Sequence, residues 1–416
     1  MRKILIVGAG QSGLQLALSL QTEGYDVTVM SARTPEEIRR GWPTSTQGMF
    51  WPALDTEREY KLNLWETVAP PLEGISAALA PAPGVQAFSF YGPWDRPGNS
   101  IDQRVKMSAW LELFEERGGR VIYHSVMTSD LGGLAPLYDL TIIAAGKGEI
   151  VELFDRDATR SKYDQPGRQL AAIYLNGVAT PSDQLTPRVR VNIAPGEVEL
   201  FSIPAYSHDG PCDILLVEAI PGGPWDIFAD RPAPAEHLRR LTAMLGTYFP
   251  WEAELYGNAE PADARASLVG AFTTTVRHPY AEVAPGAHVL GIGDVVVVND
   301  PIAGQGANNA AHAASIYLKS ILARGAEPFS PQWMQQTYDA FWEHAKDSVM
   351  WTEMMLEPLP EHAQQFLGAA AMYPEVAYTF ARFFPYPATL HDYLTDPAKT
   401  AAYLESVAAA HTPPST

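Results

Sequence analysis

The chain opens on a run rich in isoleucine and leucine within residues 2–7, then Gly8-Ala-Gly10-Gln-Ser-Gly13, then Leu14, Leu16, Ala17, Leu18 and Leu20. A short apolar run ending in glycines predicts a buried strand, and the apolar spacing after it predicts a helix. Gly24 closes that helix and Asp26-Val-Thr-Val-Met30 supplies a second strand, completing a strand–helix–strand unit. Between 31 and 104 proline, glycine and tryptophan break every period. That stretch is expected to be irregular, with helix or loop at 34–40 and 55–68, the kind of long excursion in which substrate loops occur. Regularity returns with a helix at 105–117, a strand at 120–123 and another at 139–145 closed by Gly146.

From 150 to 285 the pattern alternates at 170–175, 188–193, 197–203 and 213–219 between Pro/Gly turns, which predicts a mainly antiparallel sheet. A strand-like segment at 288–294 runs into the most glycine-punctuated part of the chain and a helix at 305–324, where the first domain is expected to resume. The remainder is helical, with Trp333, Tyr338, Trp342, Trp351 and Phe366 spaced for core packing. The fold class is therefore α/β, α+β overall. Its expected parts are a discontinuous nucleotide-binding domain (1–150 plus 286–330), an inserted β-sheet substrate domain (151–285) and a C-terminal helical region (331–416).

Composition narrows the function. A length of 416 residues calls for two to three structural domains, and 46% hydrophobic with 19% charged residues is the balance of a folded protein. Lys and Arg number 29 against 48 Asp and Glu, a net charge of −19 without a basic run, so nucleic acid is not an expected partner. Cys212 is the sole cysteine, which excludes an intrachain disulfide and any multi-cysteine metal site and suits a reducing cytoplasm. The N-terminal apolar run is too short to span a membrane. His124, His208, His278, His312 and His344 lack metal-ligand spacing, no metal is expected, and there is no Gly-x-Ser-x-Gly elbow for a serine nucleophile.

Gly8-x-Gly10-x-x-Gly13, with Ser12 inside it, permits a tight turn, close approach of a pyrophosphate to backbone amides, and the positive end of a helix facing the phosphates. The acidic residue usual at the end of the second strand is missing from Val29-Met30-Ser31-Ala32-Arg33. Ser31 can bond a ribose there. Arg33 can stack on adenine or face a phosphate, which leaves an NADP-type site open, or it is a surface arginine with no ligand. The second motif is Gly293-Asp294 followed by Asp300-Pro301-Ile-Ala-Gly304-Gln-Gly306-Ala307-Asn308 at a strand-to-helix junction. A simple dehydrogenase has no use for this second glycine-rich helix start. A flavin does: Asp294 can accept from ribityl hydroxyls, Pro301 stiffens the loop beside the ring, and amides from Gly304 to Asn308 can stabilise negative charge on the reduced ring.

Together these motifs resemble those of flavoprotein monooxygenases, and within them the styrene and indole monooxygenases, the oxygenase components of two-component systems. Asp102-Gln-Arg104, Ala145-Gly146-Lys147-Gly148, Pro221-Gly-Gly-Pro224 and Trp333-Met-Gln-Gln-Thr extend the likeness over most of the chain. The resemblance implies a Rossmann-type FAD domain of the aromatic hydroxylase kind, FAD used as FADH2, and a separate NADH-dependent flavin reductase. It also implies dioxygen, a small apolar aromatic substrate, no membrane, and Arg104 and Gly146 at the cofactor. It leaves a homodimer open. Single-component hydroxylases carry an Asp-Gly motif where this chain has Ala144-Ala-Gly146-Lys147, so reduced flavin is expected to arrive from elsewhere.

In such enzymes the segment matching 42–50 lies beside the flavin, and Ser45, Gln47 and Met49 look like the indole-preferring branch, with Leu72 and Ile75 as apolar substrate-lining positions. A polar surface loop is the alternative. The expected chemistry is a C4a-hydroperoxide kept from water and transferring oxygen to an electron-rich double bond, with Ser45, Gln47 and amides near Ala303 contacting the peroxide. The rivals are a single-component hydroxylase, a non-catalytic flavin-binding regulator, and a halogenase, although the Trp-x-Trp-x-Ile-Pro signature is absent.

Overall fold

Ile4, Leu5, Ile6 and Val7 offer water no face, and all four are buried. The strand they form, Lys3–Val7, lies inside a six-stranded sheet of order Tyr280–Ala284, Ala287–Gly291, Leu140–Ile143, Lys3–Val7, Asp26–Ser31 and Arg120–Tyr123. It pairs in parallel with Asp26–Ser31 (Ile4 beside Val27) and with Leu140–Ile143 (Ile4 beside Leu140). A strand buried on both faces is continuously apolar, which is why an unbroken apolar run identifies it. The computed structural model describes residues 2–182, 184 and 186–412.

Two compact units result. The first holds residues 1–65, 102–166 and 272–346. Here helix Gln11–Thr22 packs against helices Gly306–Arg324 and Gln103–Glu116. The Tyr317 hydroxyl donates to the Gly291 carbonyl at 2.9 Å, tying the glycine-rich helix to the end of its preceding strand. Trp333 and Tyr338, on helix Pro331–Leu356, are buried in this unit.

The second unit holds 66–101, 167–271 and 347–416. Its sheet runs Glu260–Pro261, Gln169–Asn176, Gly210–Ala219, Val198–Ser207, Val189–Ala194, Leu72–Leu79 and Phe88–Gly98, with Ser267–Gly270 also against Gln169–Asn176. All of its pairings are antiparallel except Leu72–Leu79 with Val189–Ala194. Helix Pro234–Tyr248 sets Leu241 and Leu245, with Trp225 and Phe249, over Ile173, Leu215 and Val217.

The structure departs from the sequence expectation at 66–101, where the residue pattern predicts irregular chain of the first domain. Those residues form two long strands of the second unit's sheet. Phe88–Gly98 contains Pro93 and Pro97, which argue against a central strand. It is an edge strand, where a missing amide donor is tolerated. The helices of 347–412 likewise belong to the second unit rather than to a separate region, with Trp351 and Phe366 packed on Phe383 at 5.7 and 5.6 Å between ring centres. Residues 413–416 of the expected helical region lie outside the described ones. Among the described residues, no helix is long and apolar enough to cross a membrane.

Candidate active site

The first unit brings two glycine turns to the same sheet. A Cβ on Gly8 would stand 2.7 Å from the backbone of Ala144, and one on Gly13 would stand 2.3 Å from the Gly8 carbonyl oxygen. Both glycines therefore let helix and strands approach closely. Gly10 differs, since nothing lies within 4 Å of the place its Cβ would take. Helix Gln11–Thr22 starts there with no side-chain cap, beside that open space, and the amides of Gln11, Ser12 and Gly13 have no partner among the described residues. Open space at the positive end of a helix is what a pyrophosphate requires.

The second turn repeats the arrangement. Gly304 takes a left-handed conformation (φ 64°), and helix Gly306–Arg324 begins without a side-chain cap. Amides of Gly306, Ala307 and Asn308 have no partner among the described residues, and nothing occupies the space above Gly306. The Gly304 amide, expected to face the flavin, instead donates to the Pro301 carbonyl at 2.8 Å because the turn at Pro301–Ala303 closes on itself. Ala303 is fully buried, and its carbonyl accepts from Gln305 Nε2.

Asp294 follows the strand Ala287–Gly291, and Gly146 packs so tightly under it that a Cβ would lie 2.6 Å from that of Asp294. The carboxyl is open to solvent yet crowded by protein, the setting of a group at the floor of a cleft. Crowding pushes its pKa up to about 6, against the pull of Lys147 and Arg277. Neither cation was expected from the sequence. Lys147 adjoins the strand-end glycine, a positional hint, while nothing local marks Arg277. Asn299 and Thr274, opposite each other just beyond the paired strands Val297–Val298 and Thr275–Val276, carry buried polar atoms with no partner among the described residues. They were missed too, for their polarity becomes informative only with burial.

Loop 41–50 is clamped by Asn308. Its Nδ2 donates to the carbonyls of Gly48 (2.9 Å) and Gly304 (2.7 Å), and its Oδ1 accepts from the Phe50 amide (2.8 Å). Gln47 is 4% exposed. Its Oε1 accepts from the Ser45 hydroxyl at 2.9 Å, while its Nε2 is buried with no partner among the described residues. Ser45 and Gln47 thus act together, with the donor end of the amide unspent.

The other residues singled out in the sequence lie as follows. Met49, expected to line the substrate slot, is 1% exposed and packs with Ala53, Leu54, Ala307 and Ala311, because the loop turns it inward as a prop. Leu72 and Ile75 are fully buried in a strand of the second unit, so the expected substrate-lining set divides between the units. Ser31 spends its hydroxyl locally, donating to the Arg33 carbonyl at 2.6 Å. Arg104 is buried against Asp102 (Nη2 to Oδ2, 2.7 Å), with Nη1 3.5 Å from the Gly41 carbonyl, so its charge is already compensated. Arg33 lines a cleft of ≈ 470 Å³ with Glu37, Gly41, Trp42, Pro43 and Thr44. Among the described residues, no group of three or more His, Cys, Asp or Glu could hold a metal ion.

This architecture is shared with flavin enzymes. The flavin-dependent brominase Bmp2 superposes with a TM-score of 0.61 at 13% identity over 97% of this chain and 98% of that one. The halogenase PltM gives 0.63 at 13% over 99% and 96%. A family profile described as "Styrene monooxygenase A putative substrate binding domain" matches residues 146–254. Styrene monooxygenase StyA of Pseudomonas fluorescens is 30% identical over 96% of both chains, and a StyA from a Pseudomonas species is 29% identical over the same share. The chain belongs to the styrene monooxygenase family.

Asp294 yields a test of cofactor placement. Asp294→Ala should weaken FAD binding by about 1.5–3 kcal/mol, the scale of a charge-assisted hydrogen bond, without loss of the fold; unchanged affinity by fluorescence titration places the flavin elsewhere. Its folded pKa of about 6 exceeds the unfolded value near 4, so its contribution to stability is present below that lower value and lost as pH rises through about 6. Apo Asp294→Asn should therefore gain melting temperature over the parent between about pH 4.5 and about pH 7.5.

Proposed function

We propose that this chain is the oxygenase component of a two-component FAD-dependent monooxygenase that epoxidises indole at its 2,3-bond and styrene-like alkenes less efficiently, with sulfoxidation of sulfides as a further activity. The observation that carries this reading is the pair of uncapped helix starts, at Gly10 and Gly306, with Asp294 beside the second motif. A dinucleotide with a redox-active ring needs both, one for its pyrophosphate and one for its ring. Reduced flavin, when bound, supplies the electrons that activate dioxygen for transfer of one oxygen atom to the substrate.

The residues present suit the rest of the task. Amides of Gln11–Gly13 hold phosphate oxygens, with Gly8, Gly10, Gly13 and Gly146 providing the close approach. Arg33 and its cleft take the adenosine end. Asp294 accepts from ribityl hydroxyls, and the amides of Gly306, Ala307 and Asn308 stabilise negative charge on the ring, with Pro301 and Ala303 shaping its neighbourhood. Gln47 orients the substrate. Its amide can reverse, because the Ser45 hydroxyl donates or accepts equally well, so that Nε2 donates to an oxygen or Oε1 accepts an indole N–H. The inward-facing Met49 and the apolar residues around it keep water from this side of the loop. The partners are an NADH-dependent flavin reductase, dioxygen and a small apolar aromatic, in a reducing cytoplasm that suits a chain whose sole cysteine is Cys212.

Two measurements test this function. Isolated protein carrying FAD should not be bleached by NADH under anaerobic conditions, and adding a flavin reductase should bring turnover; rapid bleaching by NADH alone would establish a single-component enzyme. In the reductase-coupled assay indole should be preferred to styrene, and Gln47→Val should erode the ratio of specificity constants by about 0.5–1.5 kcal/mol, up to about tenfold. A parent that prefers styrene, or an unchanged ratio in the variant, removes this loop from substrate choice.

A further inference from the structure

Lys106 and Glu57 form an ion pair in the first unit in which each side chain is 2% exposed, and neither belongs to the glycine motifs. Lys106 Nζ donates to Glu57 Oε1 and to Met49 Sδ at 3.1 Å, and lies 4.7 Å from the centre of the Trp110 ring. Burial pushes the ammonium pKa down, and the carboxylate of Glu57 opposes that. The same Glu57 oxygen accepts from Gln11 Nε2 at 3.0 Å, and Gln11 is the first residue of the helix whose start is open to a pyrophosphate. Gln11 also donates to Gln15 Oε1 at 2.9 Å, and Gln15 donates to Thr56 Oγ1 at 2.8 Å.

An ion pair is an expensive way to fill this volume. Desolvating both charges costs several kcal/mol each, and well-packed apolar residues of similar size often stabilise a fold more. What apolar residues cannot do is fix direction. The ammonium sets where the Met49 sulfur lies, Met49 is two residues beyond Gln47, and Asn308 holds Gly48 and Phe50 on either side of it. The carboxylate sets where Gln11 lies. One buried pair therefore references two separate segments, the loop at 45–49 and the glycine turn, to a common point.

We infer that Lys106 and Glu57 are positioning residues that hold the substrate loop in register with the phosphate-binding turn, acting through Met49 and Gln11. The inference rests on the flavin reading above, and the test separates the two. Glu57→Gln alone leaves a buried ammonium short of its counter-charge and should lower the melting temperature sharply. The double variant K106M/E57L removes both charges and should recover the parent melting temperature. A purely structural pair would then be fully replaced. A positioning pair would not: the double variant should still bind FAD roughly three- to tenfold more weakly and shift the indole-to-styrene ratio by a similar factor, the range of one lost hydrogen bond. Rescue of FAD affinity and product ratio along with stability overturns the proposal. So does failure to fold in both K106M/E57L and K106Q/E57Q, since the pair would then be required by the fold itself. A parent that turns over neither indole nor styrene defeats the functional reading, and FAD titration of the folded double variant still judges the pair.

Discussion

The glycine turn after the first strand has room for backbone alone. Gly13 is so close to the Gly8 carbonyl, and Gly8 to Ala144, that a single methyl group at either position would occupy space held by main chain. That constraint draws the helix start Gln11–Thr22 down onto the ends of Lys3–Val7 and Leu140–Ile143 together. Gly146 repeats the effect one strand over by letting Asp294 settle against it. Chain segments distant in sequence thus converge at the C-terminal ends of the sheet's inner strands because their closest contacts lack side chains, and the helix ends that converge there leave amide donors with nowhere inside the protein to go.

Loop 41–50 depends on that convergence. Asn308 belongs to the first turn of the second helix, and a carboxamide satisfied at both ends converts the position of that helix start into the position of Gly48 and Phe50. On the proposed function, the residues assigned to the substrate are accordingly held by the element assigned to the cofactor. Positions on a loop gain accuracy in this way only when their supports are themselves locked by packing, which here means the Met49 cluster with Ala53, Leu54 and Ala311.

Much of this was legible in the residues, for definite reasons. The strand Lys3–Val7 and both glycine motifs could be read because buried parallel strands are continuously apolar and tight turns have few chemical solutions. The strands Leu72–Leu79 and Phe88–Gly98 could not. Ala, Ser and Gly in the one and two prolines in the other carry little strand signal, and an edge position that excuses proline is a property of the assembled sheet. Ser31, Arg104 and Met49 show the same limit at the site. Each has the side chain expected of a ligand contact, and each spends it on a protein neighbour, on the Arg33 carbonyl, on Asp102 and on Lys106. Residue type states what a group can bond, while its partner is decided by which of several capable groups the fold brings nearest.

The same reasoning separates spent from unspent groups, which is the more useful outcome for function. Around the two turns, two carboxylates are paired with cations within the protein: Asp102 with Arg104, and Glu57 with Lys106. Against that background the buried Gln47 Nε2 and the polar atoms of Asn299 and Thr274 have no partner among the described residues, although burying such groups unpaired costs roughly 1–3 kcal/mol each, and the amides at Gly306 to Asn308 also lack one. A fold that satisfies its buried charges elsewhere in this unit and leaves these polar groups unmet is arranged for something that brings its own hydrogen-bonding atoms. The aromatic substrate offers at most one such group. On the proposed function, most of the compensation would come from the cofactor and from activated oxygen, and selectivity would rest on the few contacts that remain, Gln47 among them because its amide can serve as donor or acceptor.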